Sequence, residues 1–142
     1  MKIEDVLRKK GTEVVTIAPT ATVAELIDLL ARFNIGAVVV SADGHHIAGI
    51  VSERDIVRHL GTEGVAALAE PISAIMTADV KTCVPGDALE DTAHTMTYAR
   101  IRHLPVVTDD VLVGIVSIGD VVKHRIDQLT DERNHLLGYL HT

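Results

Sequence analysis

Two hydroxyl–carboxylate pairs carry the chemistry that this sequence can offer. Ser52-x-x-Asp55 and Ser117-x-x-Asp120 each follow the tripeptide Gly-Ile-Val, at Gly49 and Gly114, and each opens a run suited to a helix. A serine at the start of a helix can accept a backbone N–H, and an acid three residues on suits the positive end of the helix dipole. Capping alone would therefore account for all four residues. The same corner also has a ligand-binding use. Backbone N–H groups at a helix start attract an anion, while a carboxylate repels phosphate but accepts hydrogen bonds from a ribose diol. Ser52 and Ser117, with the backbone at Gly119, are then left for phosphate, and Asp55 and Asp120 for the sugar. Arg102 and His103 add donors in the second half, since arginine offers a planar fork and histidine gains charge near neutral pH. Arg54, inside the first phrase, faces either phosphate or water.

The two phrases, GIVSERDIVRH and GIVSIGDVVKH, agree at seven of eleven positions and lie 65 residues apart. The match extends outward. TIAP at Thr16 pairs with TCVP at Thr82, and IGAVVV at Ile35 with IRHLPV at Ile101, both at an offset of 66. One residue lost in a loop explains the slip, because loops tolerate length change. The chain is thus a duplicated unit rather than a solenoid, which needs more copies.

Each copy reads strand, helix, strand, strand, helix. Apolar runs at Val14 to Ile17 and Val80 to Val84 come first. Thr22 and Glu25 form a capping box, with Val23, Leu26, Ile27, Leu30 and Phe33 on one face; Asp87 and Glu90 take the capping parts in copy 2. Hairpins turn at Asp43-Gly44 and Asp109-Asp110. Second helices follow near Glu53 to His59 and Gly119 to Ile126. Ile72 to Met76 mirrors Ile3 to Leu7 as an amphipathic lead-in. The expected divisions are 1–61 for the first repeat with its lead-in, 62–71 for a linker, 72–126 for the second repeat and 127–142 for a helical tail. In that tail Leu129, Arg133, Leu136, Leu137 and Leu140 share one face, expected to dock on the body or on a second subunit.

Composition narrows the function. Of 142 residues 47% are apolar but only 2% aromatic, so the core must be aliphatic and β-branched. A net charge of −7 argues against nucleic acid as partner. No apolar run reaches the length of a membrane span, and the N-terminus lacks a long apolar signal region, so a cytoplasmic setting is expected. The single cysteine, Cys83, excludes an internal disulfide framework and reads as a small core residue. No short catalytic motif such as G-x-S-x-G is present, so no enzyme is expected. Adjacent His45 and His46 are poorly placed for shared chelation, so no metal is expected either.

The IMT lead-in at Ile75, the IRHLPVV stretch at Ile101 and the two GIVS-x-x-D phrases together resemble a tandem pair of CBS domains, the Bateman module, over about Ile3 to Ile126. The resemblance implies a mixed α/β (α+β) fold of two βαββα repeats about a pseudo-twofold axis, plus a C-terminal helix. It implies clefts that take adenosyl ligands: AMP, ADP, ATP, a dinucleotide such as NAD, or S-adenosylmethionine. By motif position, Asp55 and Asp120 would hold ribose. Ser52, Arg54, Arg102, His103, Ser117 and Gly119 would face phosphate, and Thr12, Ile35, Gly36, Ala37, Ala78 and Val80 would surround adenine. Copy 1 lacks the basic pair, so the two sites should differ in phosphate preference. It has Val39 where copy 2 has Pro105. The implied protein is a stand-alone adenine-nucleotide sensor and a homodimer of two modules. It would act on an unknown protein partner or through its own oligomer; the alternative is an interaction module without nucleotide.

Overall fold

The repeat offset reappears as hydrogen bonds in a computed structural model, which describes residues 1–141; Thr142, the last residue of the expected tail, lies outside the described residues. In copy 1, strand β1 (Thr16–Ile17) pairs in parallel with β2 (Ala37–Val40), Ile17 opposite Val40. In copy 2 the equivalent pair, Cys83 and Val106, forms a lone parallel bridge, so the run Val80 to Val84 is reduced to a single ladder step. Ser41 N–H donates to the Ile17 carbonyl at 2.9 Å, and its counterpart Val107 N–H donates to the Cys83 carbonyl at 2.9 Å.

The remaining elements are α1 (Ile3–Lys10), α2 (Val23–Phe33), β3 (Gly49–Ser52), α3 (Glu53–Glu63), α4 (Leu89–Tyr98), β4 (His103–Thr108), β5 (Val111–Ser117) and α5 (Ile118–Leu140). Short 3-10 turns at Gly64–Ala69 and Ile72–Ala74 lie between α3 and α4. The sheets run β1-β2-β3, with β2 and β3 antiparallel, and β4-β5. The mixed α/β architecture of two strand–helix–strand–strand–helix repeats is therefore present, the first strand of copy 2 being one bridge, and the last helix, α5, runs on beyond the second repeat.

Local chemistry explains most element ends. Thr22 Oγ1 accepts the Glu25 N–H at 3.2 Å and Glu25 Oε2 accepts the Thr22 N–H at 3.0 Å, a reciprocal cap for α2. Copy 2 departs from expectation here. The N-cap of α4 is Ala88, with no side-chain cap bond, and Asp87 instead accepts the Val84 N–H at 2.9 Å. Ala88 holds the place of Thr22, so the cap was lost with the hydroxyl, while Glu90 pairs with Arg125 at 2.8 Å. The hairpin turns follow their residues: Gly44, Asp109 and Asp110 all take positive φ. Asp43 Oδ1 accepts the N–H groups of His45 and His46, and its Oδ2 pairs with the His46 ring.

Two compact units emerge, and each packs the lead-in that precedes the other copy in sequence. One comprises Met1–Thr12, Thr82–Thr108 and Gly114–Thr142; the other comprises Glu13–Lys81 and Asp109–Val113. Helix α1, which precedes copy 1, sits in the unit of copy 2. There Ile3 N–H donates to the Asp87 carbonyl and Leu89 N–H to the Met1 carbonyl. The turn that precedes copy 2 makes the matching bonds in the other unit, Ile72 N–H to Ala21 and Val23 N–H to Glu70. The core of that unit is aliphatic: Val23, Leu26, Leu30, Val38, Val40, Val51, Ile56 and Ile72. Each such side chain contributes about 1.5–3 kcal/mol when fully buried. The α1 unit buries Ile3, Val6, Leu89, Met96, Leu104, Val106, Val116 and Val121.

The glycine that begins each phrase serves this exchange. A Cβ on Gly49 would lie 2.6 Å from Met76 Sδ and 2.9 Å from the Thr77 carbonyl oxygen, and one on Gly114 would lie 2.7 Å from Leu7 Cδ2. Met76 and Leu7 hold equivalent places in the two lead-ins, so each lead-in packs over the bare backbone of a glycine.

Cys83 is buried, as its apolar neighbours imply, and burial, with Asp87 nearby, pushes its thiol up to about 12. The expected tail is not a separate element but the continuation of α5. Leu129, Leu136, Leu137 and Leu140 are exposed on it. Among the described residues no helix is long and apolar enough to cross a membrane.

Candidate functional site

Each unit contains one corner where a strand of the hairpin turns directly into a helix. In the α1 unit, β5 ends at Ser117 and α5 begins. Ser117 N–H donates to Asp120 Oδ2 at 2.9 Å, and Asp120 N–H donates to Ser117 Oγ at 3.1 Å. In the other unit, β3 ends at Ser52 and α3 begins; Ser52 N–H donates to Asp55 Oδ2 at 2.8 Å and the Ser52 hydroxyl donates to the same oxygen at 3.1 Å. Both serine–aspartate pairs therefore cap their helices. The carboxylates remain partly accessible, with Ser52, Asp55, Ser117 and Asp120 all half-buried.

The segment after the preceding helix is delivered to the same corner. Helices α2 and α4 close alike: Asn34 and Arg100 adopt left-handed φ, and the N–H groups of Ile35 and Ile101 return to the Leu30 and Met96 carbonyls. The chain then passes the start of the next helix. Glu53 N–H donates to the Gly36 carbonyl at 3.0 Å, and Ile118 N–H donates to the Arg102 carbonyl at 2.8 Å. Ile35, Gly36 and Ala37 thus lie against the Asp55 corner, with Ala37 opposite Ser52 in the ladder. Arg102 and His103 lie against the Asp120 corner, Arg102 exposed and His103 half-buried. These bonds consume part of the anion-attracting capacity of the helix starts. Among the described residues, the amides of Arg54 and Gly119, second in their helices, keep no backbone or side-chain acceptor.

The other expected residues divide between the units. Ala78 and Val80 follow Thr77, whose N–H and carbonyl pair with Ile50 at 2.9 Å each, beside the Asp55 corner. Thr12 belongs to the α1 unit. Arg54 is exposed on the first turn of α3 and Gly119 on the first turn of α5.

Sequence reasoning missed Lys10. Its ammonium donates to Asp120 Oδ2 at 2.5 Å and to the Ile115 carbonyl at 2.8 Å. Burial alone would raise the Asp120 carboxyl; the Lys10 ammonium and the Ser117 N–H outweigh it and leave the group below its ordinary value. Lys10 gave no local signal, because it lies 110 residues away in a basic run, Arg8 to Lys10, that reads as a helix C-terminus.

The repeat-related histidines also part company. His59 pairs with Glu70, whereas His124 is buried and donates from Nδ1 to the Asp120 carbonyl at 2.8 Å. Two surface depressions lie away from the corners. One runs along α2, lined by Ala24, Asp28 and Arg32 among others, and one along α4, lined by His94, Tyr98 and Arg125 among others.

Comparison with known proteins agrees with this architecture. A family model for the CBS domain matches residues 3–62 and 72–127. The mitochondrial CBS domain-containing protein CBSX3 of Arabidopsis thaliana is 32% identical, over 97% of this chain and 71% of its own length. The crystal structure of a CBS-domain containing protein from Agrobacterium tumefaciens superposes with a TM-score of 0.84 at 40% identity, covering 88% of this chain and 99% of that one. A CBS domain protein from Pyrobaculum aerophilum, solved in complex with AMP, superposes with a TM-score of 0.75 at 29% identity, covering 84% and 89%.

Proposed function

This chain belongs to the CBS-domain family, and from that premise we propose that it is an adenine-nucleotide sensor, binding AMP, ATP or an NAD-type ligand at its two serine–aspartate corners. One observation carries the reading: both copies place a half-buried carboxylate beside a helix-start amide that has no acceptor among the described residues, so each corner offers a sugar acceptor and a phosphate donor together. The AMP complex of the Pyrobaculum relative supports it.

In this reading Asp55 and Asp120 accept the hydroxyls of a ribose. Ser52, Ser117 and the backbone at Gly119 meet phosphate, with Arg102, His103 and Arg54 as cationic or donor partners. Ile35, Gly36, Ala37, Ala78 and Val80 line one adenine site, and Thr12 contributes to the other. The residues support binding: Ser52 and Ser117 cap their helices together with Asp55 and Asp120, and the remaining donors face a ligand's phosphate. The output passes through a partner or through a homodimer, and the cytoplasm is the setting that the lone buried thiol suits. A ligand that prefers one conformation shifts the population by its differential affinity.

The exposed leucines of α5 favour the second reading, an interaction module that binds no nucleotide. Thermal melting separates the two. A ligand at a hundredfold excess over its Kd stabilises the fold by about 2.7 kcal/mol, a rise of several degrees in Tm. If AMP, ATP and NAD at millimolar concentration all leave the midpoint unchanged, the sensor reading falls.

A further inference from the structure

The two corners are not equivalent, and the difference lies in what each lead-in contributes. At the Asp55 corner the Ile50 carbonyl is satisfied by the backbone N–H of Thr77. At the Asp120 corner the equivalent carbonyl, on Ile115, is satisfied by the side-chain ammonium of Lys10, which also holds Asp120 Oδ2. A fixed amide in one corner is thus replaced by a mobile cation in the other. Among the described residues no lysine or arginine pairs with Asp55, which is held only by Ser52.

This substitution bears on the ribose. A carboxylate oxygen has two acceptor sites. Both sites of Asp120 Oδ2 are taken, by Ser117 N–H and by Lys10. Asp55 Oδ2 is also doubly bonded, but one donor is the Ser52 hydroxyl, a rotor that can turn aside as Ser117 already does. A diol that bridges both oxygens of Asp120 must displace an ammonium, and displacement uncovers the Ile115 carbonyl. The cost is recovered if the incoming ligand brings an anion. Lysine has three donors on a flexible stem, two of them in use here, and its side chain is about one-third exposed. A phosphate entering beside Arg102 and His103 gives the ammonium a new partner.

We propose that Lys10 is the specificity-determining residue of the Asp120 corner: it yields the carboxylate only to a phosphorylated nucleoside, while the Asp55 corner also admits an uncharged one. The inference rests on the nucleotide-binding reading above and names which ligand charge each corner takes.

The test is calorimetric titration of the full-length protein with AMP and with adenosine, comparing wild type with Lys10→Met and Lys10→Arg. The binding phase lost on Asp120→Asn substitution identifies the corner. At that corner wild type should favour AMP over adenosine by at least about tenfold. Lys10→Met should weaken AMP and tighten adenosine, collapsing the ratio, and Lys10→Arg should restore it. If Lys10→Met weakens both ligands equally, or leaves the ratio unchanged, Lys10 is a structural brace for α1 and the inference is wrong. If wild type binds neither ligand, the sensor reading fails and this one with it. A wild-type preference for AMP that survives Lys10→Met overturns this inference alone.

Discussion

Replacing the first glycine of each phrase by alanine should have unequal effects, and the inequality follows from what each added methyl meets. At Gly49 the Cβ would stand 2.9 Å from the Thr77 carbonyl oxygen, whereas ordinary contact begins near 3.4 Å. That oxygen accepts the Ile50 N–H, so it cannot retreat without stretching a backbone bond. Overpacking of this kind costs about 1–3 kcal/mol, offset by about 0.4–1 kcal/mol from the stiffer unfolded chain. Gly49→Ala should therefore lose about 1–2 kcal/mol. At Gly114 the nearest atoms are the terminal carbons of Leu7. A side chain can change rotamer, so Gly114→Ala should lose only about 0–1 kcal/mol. Urea denaturation reads both. With a slope of about 1–3 kcal/mol/M, Gly49→Ala should move the midpoint by roughly 0.3–2 M and Gly114→Ala by less. Shortening Met76 to alanine should not rescue Gly49→Ala, because the carbonyl remains. A neutral Gly49→Ala, or a Gly114→Ala that is the worse of the two, would refute the claim that backbone contact dictates the glycine.

Two further outcomes follow from the ionisable groups. Asp120 is held below its ordinary value of 3.8 in the fold, so it contributes stability above that pH and loses it as pH falls through the folded value; the gap in urea midpoint between wild type and Asp120→Asn should be full at pH 7 and shrink below pH 4. Cys83 is buried with its thiol pushed up to about 12, so a thiol-directed reagent at pH 8 should label it only at the rate of global unfolding; faster labelling of the native protein would show that the β4 edge opens locally.

Local and repeated features were legible in the sequence; long-range pairings were not. The period of Val23, Leu26 and Leu30 and the capping box at Thr22 placed the start and the buried face of α2, because both signals are local. The duplicated phrase gave both corners, since a copied sequence makes its own alignment. The cap expected from Asp87 failed because one residue of register separates it from Ala88, the counterpart of Thr22. Lys10 escaped notice for a different reason. Nothing in a basic helix end specifies a carboxylate more than a hundred residues later, and only the crossing of the lead-ins brings the two together. The family resemblance supplied roles for Thr12, Ala78 and Val80 that their own chemistry does not announce.

The exchanged lead-ins also set an order of events during synthesis. Helix α1 is made well before the groups it bonds, which run from Pro85 to Asp120. The unit built on residues 13–81 can assemble almost entirely while the chain is still growing, short only of the hairpin tip at 109–113. Helix α1 must wait, its apolar side uncovered until the residues from Thr82 onward have been made. A ribosome stalled between the repeats would carry one nearly finished body and one orphaned helix.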